Sequence, residues 1–75
     1  MQNQHSIDLH GIRHGEVKNL LIRKIEDLWD SNTKLEIITG HSSKMKNIVI
    51  ETLYEYKLPY EDGTFFNKGI IITDL

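Results

Sequence analysis

The sequence of 75 residues contains no cysteine, which excludes a disulfide scaffold, a thiolate nucleophile and any metal site built on cysteine ligands. It also lacks a long apolar run. The longest is Ile70 to Ile72 followed by the half-polar Thr73, whereas a membrane-spanning helix needs about 20 apolar residues. The polar N-terminus, Met1 to His5, has no apolar segment typical of a signal peptide. These absences predict a cytoplasmic protein that does not enter a membrane.

An excess of positive charge is missing as well, because 9 Lys and Arg residues face 11 Asp and Glu residues, for a net charge of -2. Proteins that bind nucleic acid mainly through overall charge are usually strongly basic. Six of the basic residues nevertheless fall in two groups along the chain: Arg13, Lys18, Arg23 and Lys24, then Lys44 and Lys46. Each group is consistent with an exposed helix surface or with a patch that contacts phosphates.

The spacing of apolar residues in the first half predicts a strand, a helix and a second strand. Residues 5–10 alternate between aliphatic and polar side chains, as a strand does, and Gly11 ends them. Residues 15–30 then follow helical spacing. The apolar stripe of this helix comprises Val17, Leu20, Leu21, Ile25, Leu28 and Trp29. Residues 35–39 are almost continuously aliphatic, which predicts a strand covered on both faces, and Gly40 ends it.

The second half predicts another helix and two more strands. Ser42 or Ser43 can cap the helix, which ends before Pro59. Its stripe comprises Met45, Ile48, Val49, Thr52, Leu53 and Tyr56. A strand beginning at Tyr60 either turns at 62–63 or continues to Phe66, and after a turn at 67–69 the last strand covers 70–73. The predicted fold is a single-domain, two-layer α/β sandwich of order β-α-β-α-β-β with a mostly parallel sheet, spanning 6–75 after a short tail at 1–5.

Two loops of this fold are expected to meet at one edge of the sheet. Loops that follow parallel strands open at the same edge, and here these are residues 10–14 and 40–44. Three of the four histidines lie in them, and the unpaired amides of two helix N-termini point the same way. The sequence therefore predicts an anion site there, with phosphate as the obvious anion. Taken singly, His10 is also consistent with a half-buried structural residue, Asp8 with a cap, and His41 with ordinary loop chemistry.

The same residues resemble the motifs of the Smr domain, the small MutS-related module. Asp8, His10 and Gly11 match the Asp-Leu-His-Gly signature, and Thr39-Gly40 matches the start of the second motif. Residue 42 is serine where that family has a second glycine. The resemblance covers residues 6–75, and it implies a fold similar to the C-terminal domain of translation initiation factor three. It also implies nucleic-acid binding and, as in several members, endonuclease activity on DNA or RNA.

Under this hypothesis three residues carry the chemistry. His10 is the general acid or base, His41 the second proton-transfer group, and Asp8 orients His10 or holds a metal. The residues expected to contact nucleic acid are Gly11, Arg13, His14, Lys18, Thr39, Gly40, Ser42, Ser43, Lys44 and Lys46. Two histidines at one edge favour metal-free cleavage of RNA, so no cofactor is required on this mechanism.

Other interpretations stay open at this point. One is a binding module without turnover, whose second motif is degenerate. Another is a metal site made by Asp8, His10, His14 and His41, although Mg²⁺ or Mn²⁺ held by Asp8 is more plausible than structural zinc. Nucleic acid is the expected partner. Because the family domain usually closes a longer protein, a larger partner protein is a further expectation.

Overall fold

A computed structural model describes residues 4–62 and 69–75 of the chain. The elements in this part are β1 (Gln4–Asp8), α1 (His14–Asp27), β2 (Lys34–Ile38), α2 (Ser43–Glu55), β3 (Tyr60–Asp62) and β4 (Ile70–Asp74). The predicted order β-α-β-α-β-β is confirmed. β1 begins two residues before the predicted start of the domain. The predicted turns around residues 63 and 67, and the alternative strand reaching Phe66, lie outside the described residues.

The four strands form a mixed sheet in the order β1-β2-β4-β3. β1 and β2 are parallel, with Ile7 opposite Ile37, whereas β4 is antiparallel to both of its neighbours. The prediction of a mostly parallel sheet is therefore wrong. The physical reason is the short connection between β3 and β4. Parallel neighbours need a crossover of about a dozen residues or more, and residues 63–69 are too few, so β4 runs antiparallel to β3.

Both helices cover the same face of the sheet. The buried strand residues Leu35, Ile37 and Ile71 lie on one face by register, and they belong to one core cluster with residues of α1 and α2. The helical part of that cluster is Val17, Leu21, Ile25, Met45, Val49 and Leu53. On the other face of β2, Glu36 and Ile38 are only half-buried. The prediction that β2 is covered on both faces is wrong because no helix lies on that second face in the described part of the chain.

The end of α1 differs from the prediction. The helix stops at Asp27, and Trp29 follows it with 52% of its surface exposed, its ring edge-on to Tyr56 at a centroid distance of 6.1 Å. Asp30 and Asn32 have φ of 59° and 58°, a left-handed backbone that Asp and Asn tolerate better than most residues. The chain thus turns toward β2 about one helical turn early, and the prediction that Trp29 belongs to the apolar stripe of the helix is wrong. In residues 4–62 and 69–75, neither helix combines the length and apolarity that crossing a membrane requires.

Candidate functional site

The loop after β1 is a tight turn closed by backbone and side-chain hydrogen bonds. Asp8 ends the strand, and its Oδ1 accepts a 2.9 Å hydrogen bond from the backbone amide of His10. The amide of Ile12 donates to the carbonyl of Leu9 at 3.0 Å, and Leu9 is fully buried. Gly11 occupies the third position of this turn with φ of 84°, where glycine avoids the cost of a left-handed backbone. The Asp8 carboxylate therefore shapes the loop that presents His10.

The loop after β2 also depends on a glycine and ends in a capped helix. Gly40 has φ of 69° and is half-buried. Ser42 is the N-cap of α2, and its hydroxyl accepts a 3.1 Å hydrogen bond from the amide of Met45. With φ of -75° and ψ of 116°, residue 42 has an extended backbone that any residue adopts. Nothing in the backbone of this loop thus requires a second glycine at position 42.

The two loops meet where His10 packs against Gly40. A Cβ built on Gly40 would lie 3.0 Å from Cδ2 of the His10 ring, which leaves no room for a larger residue unless the imidazole moves. This contact is possible because β1 and β2 are parallel, and their ladder continues one residue further as the Leu9 amide donates to the Ile38 carbonyl at 2.8 Å. The structure therefore brings together the two loops that the sequence predicts to share an edge.

Gly69 holds this contact from the other side, and sequence reasoning missed it. Its carbonyl accepts from the amides of Thr39 at 2.7 Å and Gly40 at 3.2 Å, and from the hydroxyl of Thr39 at 3.2 Å. A Cβ on Gly69 would come within 3.2 Å of the Gly40 Cα. The available signal is a glycine directly before the last strand, which the sequence by itself indicates only as part of a turn. We call Thr39, Gly40 and Gly69 the glycine clamp, because together they fix the backbone under the His10 ring.

Thr39 is buried and bonds to the backbone of the clamp, so its side chain does not face a ligand. It is 2% exposed, and its hydroxyl lies 2.9 Å from the Gly40 carbonyl as well as near that of Gly69. With a single hydroxyl proton, the side chain shares its hydrogen bond between these two acceptors. Of the predicted contact residues in the second loop, Thr39 thus serves the clamp, while His41, Ser43 and Lys44 are exposed.

Most of the predicted cations lie in or directly after the two loops. Arg13 is exposed and occupies the N-cap of α1 without a side-chain capping bond, and His14 begins the helix half-buried. Lys44 is exposed and Lys46 half-buried in the first turn of α2. Positive side chains therefore accompany two helix N-termini, whose dipoles also favour anions.

Lys18 lies apart from this group. Its Nζ is 3.0 Å from Oε2 of Glu55, the last residue of α2, and both side chains are about half exposed. The ion pair joins the two helices across their outer surface. Lys18 is thus placed by the structure against a carboxylate and away from the loops.

The hypothesis of a metal site made by four side chains finds little support in the geometry. Within residues 4–62 and 69–75, no three His, Asp or Glu side chains are grouped closely enough to hold a metal ion, so Asp8, His10, His14 and His41 are not assembled as a ligand set. Five shallow hollows on the described surface are lined by residues outside the two loops.

Comparison of the chain with protein-family models, with curated proteins and with solved structures gives no significant match in any of the three.

Proposed function

We propose that the chain is an Smr-like domain that binds nucleic acid at the edge formed by the two loops and cleaves phosphodiester bonds there. The observation that carries this proposal is the contact of the His10 imidazole with Gly40. It joins the Asp-Leu-His-Gly and Thr-Gly segments on which the resemblance rests. The β-α-β-α-β-β order and the two helices on one face are also consistent with a fold like the C-terminal domain of translation initiation factor three.

The proposed chemistry uses imidazole groups for proton transfer. The His10 ring is exposed and lies against Gly40 of the clamp. Asp8 acts through the His10 backbone, whose amide donates to its carboxylate at 2.9 Å. His41, exposed on the second loop, is the second proton-transfer group. Arg13, Lys44 and the helix amides neutralise charge that develops on the phosphoryl oxygens.

Single-stranded RNA is the proposed substrate. In RNA the attacking group is the neighbouring 2′-hydroxyl, so one imidazole can remove its proton while another protonates the leaving oxygen. DNA lacks this hydroxyl and needs an activated water, which a bound metal generates most easily. The site offers two histidines and one carboxylate, and the carboxylate of Asp8 is already bonded to the loop backbone. These groups suit the cleavage of RNA better than a metal-dependent cleavage of DNA.

A binding module without turnover is the second candidate, and Ser42 favours it. The hydroxyl of Ser42 accepts from the Met45 amide, so one of the amides at the start of α2 is already occupied. A glycine at residue 42 would leave that amide available to a phosphate oxygen. This candidate keeps the cationic edge and its salt-sensitive binding but leaves the substrate unchanged.

The test is incubation of the purified protein with labelled single- and double-stranded RNA and DNA, with and without chelator. We expect cleavage of single-stranded RNA that survives chelation and has a bell-shaped pH dependence, because one imidazole must be protonated and one free. His10→Ala and His41→Ala should each abolish most of it, and Asp8→Asn should reduce it less. His5→Ala is the matched control, since His5 lies exposed in β1 and outside both loops.

Two results would change the proposal. Salt-sensitive binding of RNA without any cleavage would establish the binding module. Cleavage of DNA that vanishes with chelator, while His41→Ala stays active, would replace the mechanism with a metal-dependent one centred on Asp8 and His10.

A further inference from the structure

The end of the molecule opposite the two loops carries the large apolar side chains that remain exposed in the described chain. Trp29, Tyr54 and Tyr60 are 52%, 79% and 43% exposed. They lie after α1, at the end of α2 and at the start of β3, which are the element ends remote from the loops. Aromatic residues are enriched at protein interfaces, where their large rings supply contact area at low cost in conformational entropy.

These aromatic residues belong to one continuous surface. Trp29 lines a hollow with Leu58 and Asp74, Tyr54 lines one with Leu58 and Pro59, and Tyr60 lines one with Pro59 and Asp74. Their volumes are about 150, 490 and 220 Å³. Because neighbouring hollows share residues, the surface runs unbroken between them. We call it the aromatic end and define it by Trp29, Tyr54, Leu58, Pro59, Tyr60 and Leu75.

The backbone around the aromatic end is held in place. Trp29 contacts Tyr56 edge-on, with an interplanar angle of 60°. Leu58 is fixed by the turn that ends α2, in which its amide donates to the Leu53 carbonyl at 2.9 Å. Asp30, beside Trp29, keeps a left-handed backbone with φ of 59°. A surface that is ordered before binding loses less entropy when a partner arrives.

Negative charge in the Trp29 hollow identifies the chemistry of the partner. Asp30 and Asp74 both line this hollow, and in residues 4–62 and 69–75 neither carboxylate forms an ion pair, although Lys34 lies opposite Asp74 in the strand register and lines two neighbouring hollows with it. Two unpaired carboxylates beside an indole ring repel phosphate groups and attract a cation, which also interacts favourably with the ring. Nucleic acid is thereby disfavoured in this hollow, which no lysine or arginine of the described chain lines.

We propose that the aromatic end docks a partner protein through an arginine side chain that enters the Trp29 hollow. The guanidinium lies against the indole and bonds to Asp30 and Asp74, while apolar neighbours of that arginine contact Tyr54, Leu58 and Pro59. Arginine suits the site better than lysine because its planar, weakly hydrated group stacks on aromatic rings and pairs with carboxylates through several donors. This interaction is independent of the chemistry proposed for the opposite edge.

The test is an NMR titration of the full chain with the capped tripeptide leucine-arginine-leucine. The matched probe has citrulline in place of arginine, which keeps the shape of the side chain and removes its charge. We expect the arginine peptide to shift the Trp29 indole N–H and the Asp74 and Leu75 amides, with the citrulline peptide about three- to tenfold weaker, given an exposed ion pair and a cation–π contact. Asp30→Asn and Asp74→Asn should lose this preference, whereas Asp27→Asn, at the end of α1, should keep it.

Asparagine tolerates the backbone of residue 30, so Asp30→Asn should keep its thermal melting curve and remain informative. Equal shifts with both peptides, or an unchanged preference in Asp30→Asn and Asp74→Asn, would overturn the proposal. Shifts of the same resonances on diluting the protein alone would identify a second copy of the chain as the occupant and so contradict it. Displacement of the arginine peptide by single-stranded RNA at these resonances would likewise contradict it.

Discussion

Single residues at the edge formed by the two loops differ in whether the structure requires glycine there. Gly40 combines a positive φ with direct contact to the His10 ring, whereas Gly11 has a positive φ and no atom within 4 Å of its would-be Cβ. Ser42 shows the opposite case, because its backbone is ordinary and its side chain caps α2. A motif position thus requires glycine for backbone conformation, for space, for both or for neither, and only the environment distinguishes these cases.

This difference predicts unequal effects of two alanine substitutions. Gly11→Ala should cost about 1–2 kcal/mol of stability, the usual strain of a left-handed alanine. Gly40→Ala should cost more, because its Cβ also meets the His10 ring at 3.0 Å. Thermal or urea unfolding measures the stabilities, and the Cδ2–H resonance of His10 should move only in Gly40→Ala. Equal stabilities together with an unmoved His10 resonance in both variants would show that the contact with Gly40 does not hold the imidazole.

At the scale of elements, α2 has well-defined signals at both ends, but the residue that follows its C-cap is unfavourable for the backbone there. Ser42 caps the start, and at the end the amides of Lys57 and Leu58 donate to the carbonyls of Tyr54 and Leu53. This is the Schellman arrangement, in which the residue after the C-cap is left-handed and usually glycine. Here that residue is Lys57, with φ of 55°. The helix therefore ends where the hydrogen bonds dictate, at some cost in backbone strain.

Lys57→Gly should consequently stabilise the domain. Relief of the left-handed strain is worth about 1 kcal/mol, partly offset by the greater freedom of glycine in the unfolded chain. Chemical denaturation should show a higher midpoint with an unchanged slope. Glu51→Gly, an exposed position inside the same helix, is the control and should lose about 1 kcal/mol. A lower midpoint for Lys57→Gly would contradict the left-handed backbone at this position.

The buried face of α2 can be tested with two adjacent residues. Leu53 is fully buried, so Leu53→Ala should cost about 2–5 kcal/mol, which is a large part of the stability available to so small a domain. Tyr54 is 79% exposed, and Tyr54→Ala should leave the melting curve almost unchanged. Circular dichroism across the thermal transition measures both. Similar losses in the two variants would contradict the orientation of the helix.

At the scale of the whole molecule, charge is unevenly distributed although the net charge is only -2. Arg13, Lys44 and Lys46 lie at the edge formed by the two loops. At the aromatic end, Asp30 and Asp74 line the Trp29 hollow, while Lys34 and Lys57 line its neighbours. A nearly balanced composition therefore includes a group of cations at the loop edge and an acidic hollow at the opposite end. The parallel pair β1–β2 produces this arrangement, because it directs both loops to one edge and both helix C-termini to the other.

The group of cations at the loop edge predicts where charge reversal weakens nucleic-acid binding. Lys44→Glu with Lys46→Glu should lower the affinity for single-stranded RNA. It should also reduce the slope of log K against log salt by about 0.7 for each phosphate that the variant no longer neutralises. Reversal of Lys34 and Lys57, which line hollows near the aromatic end, is the control and should change neither quantity much. Fluorescence anisotropy at several salt concentrations measures both, and equal losses from the two pairs would leave the loop edge without a special role.

Local features of the sequence determined the secondary structure and the meeting of the two loops. Periodicity placed both helices and all four strands in order, and the glycines at residues 11 and 40 marked the turns. The apolar spacing continues to Trp29, so it predicted a longer α1. The helix ends at Asp27 instead, and the left-handed residues Asp30 and Asn32 turn the chain away. The spacing of apolar residues does not show where a turn of the backbone ends a helix.

Tertiary structure alone decided which distant residues touch. The Gly69 carbonyl binds Thr39 and Gly40, which lie far away in the sequence, Lys18 pairs with Glu55, and β4 inserts between β2 and β3. None of these partners is set by local spacing, since each depends on how the sheet is ordered and on the length of its last connection. The sequence by itself thus determined where the candidate histidines lie along the chain. The packing of three strand ends decided that His10 lies against Gly40, because the sheet brings the end of β1, the end of β2 and the start of β4 together there.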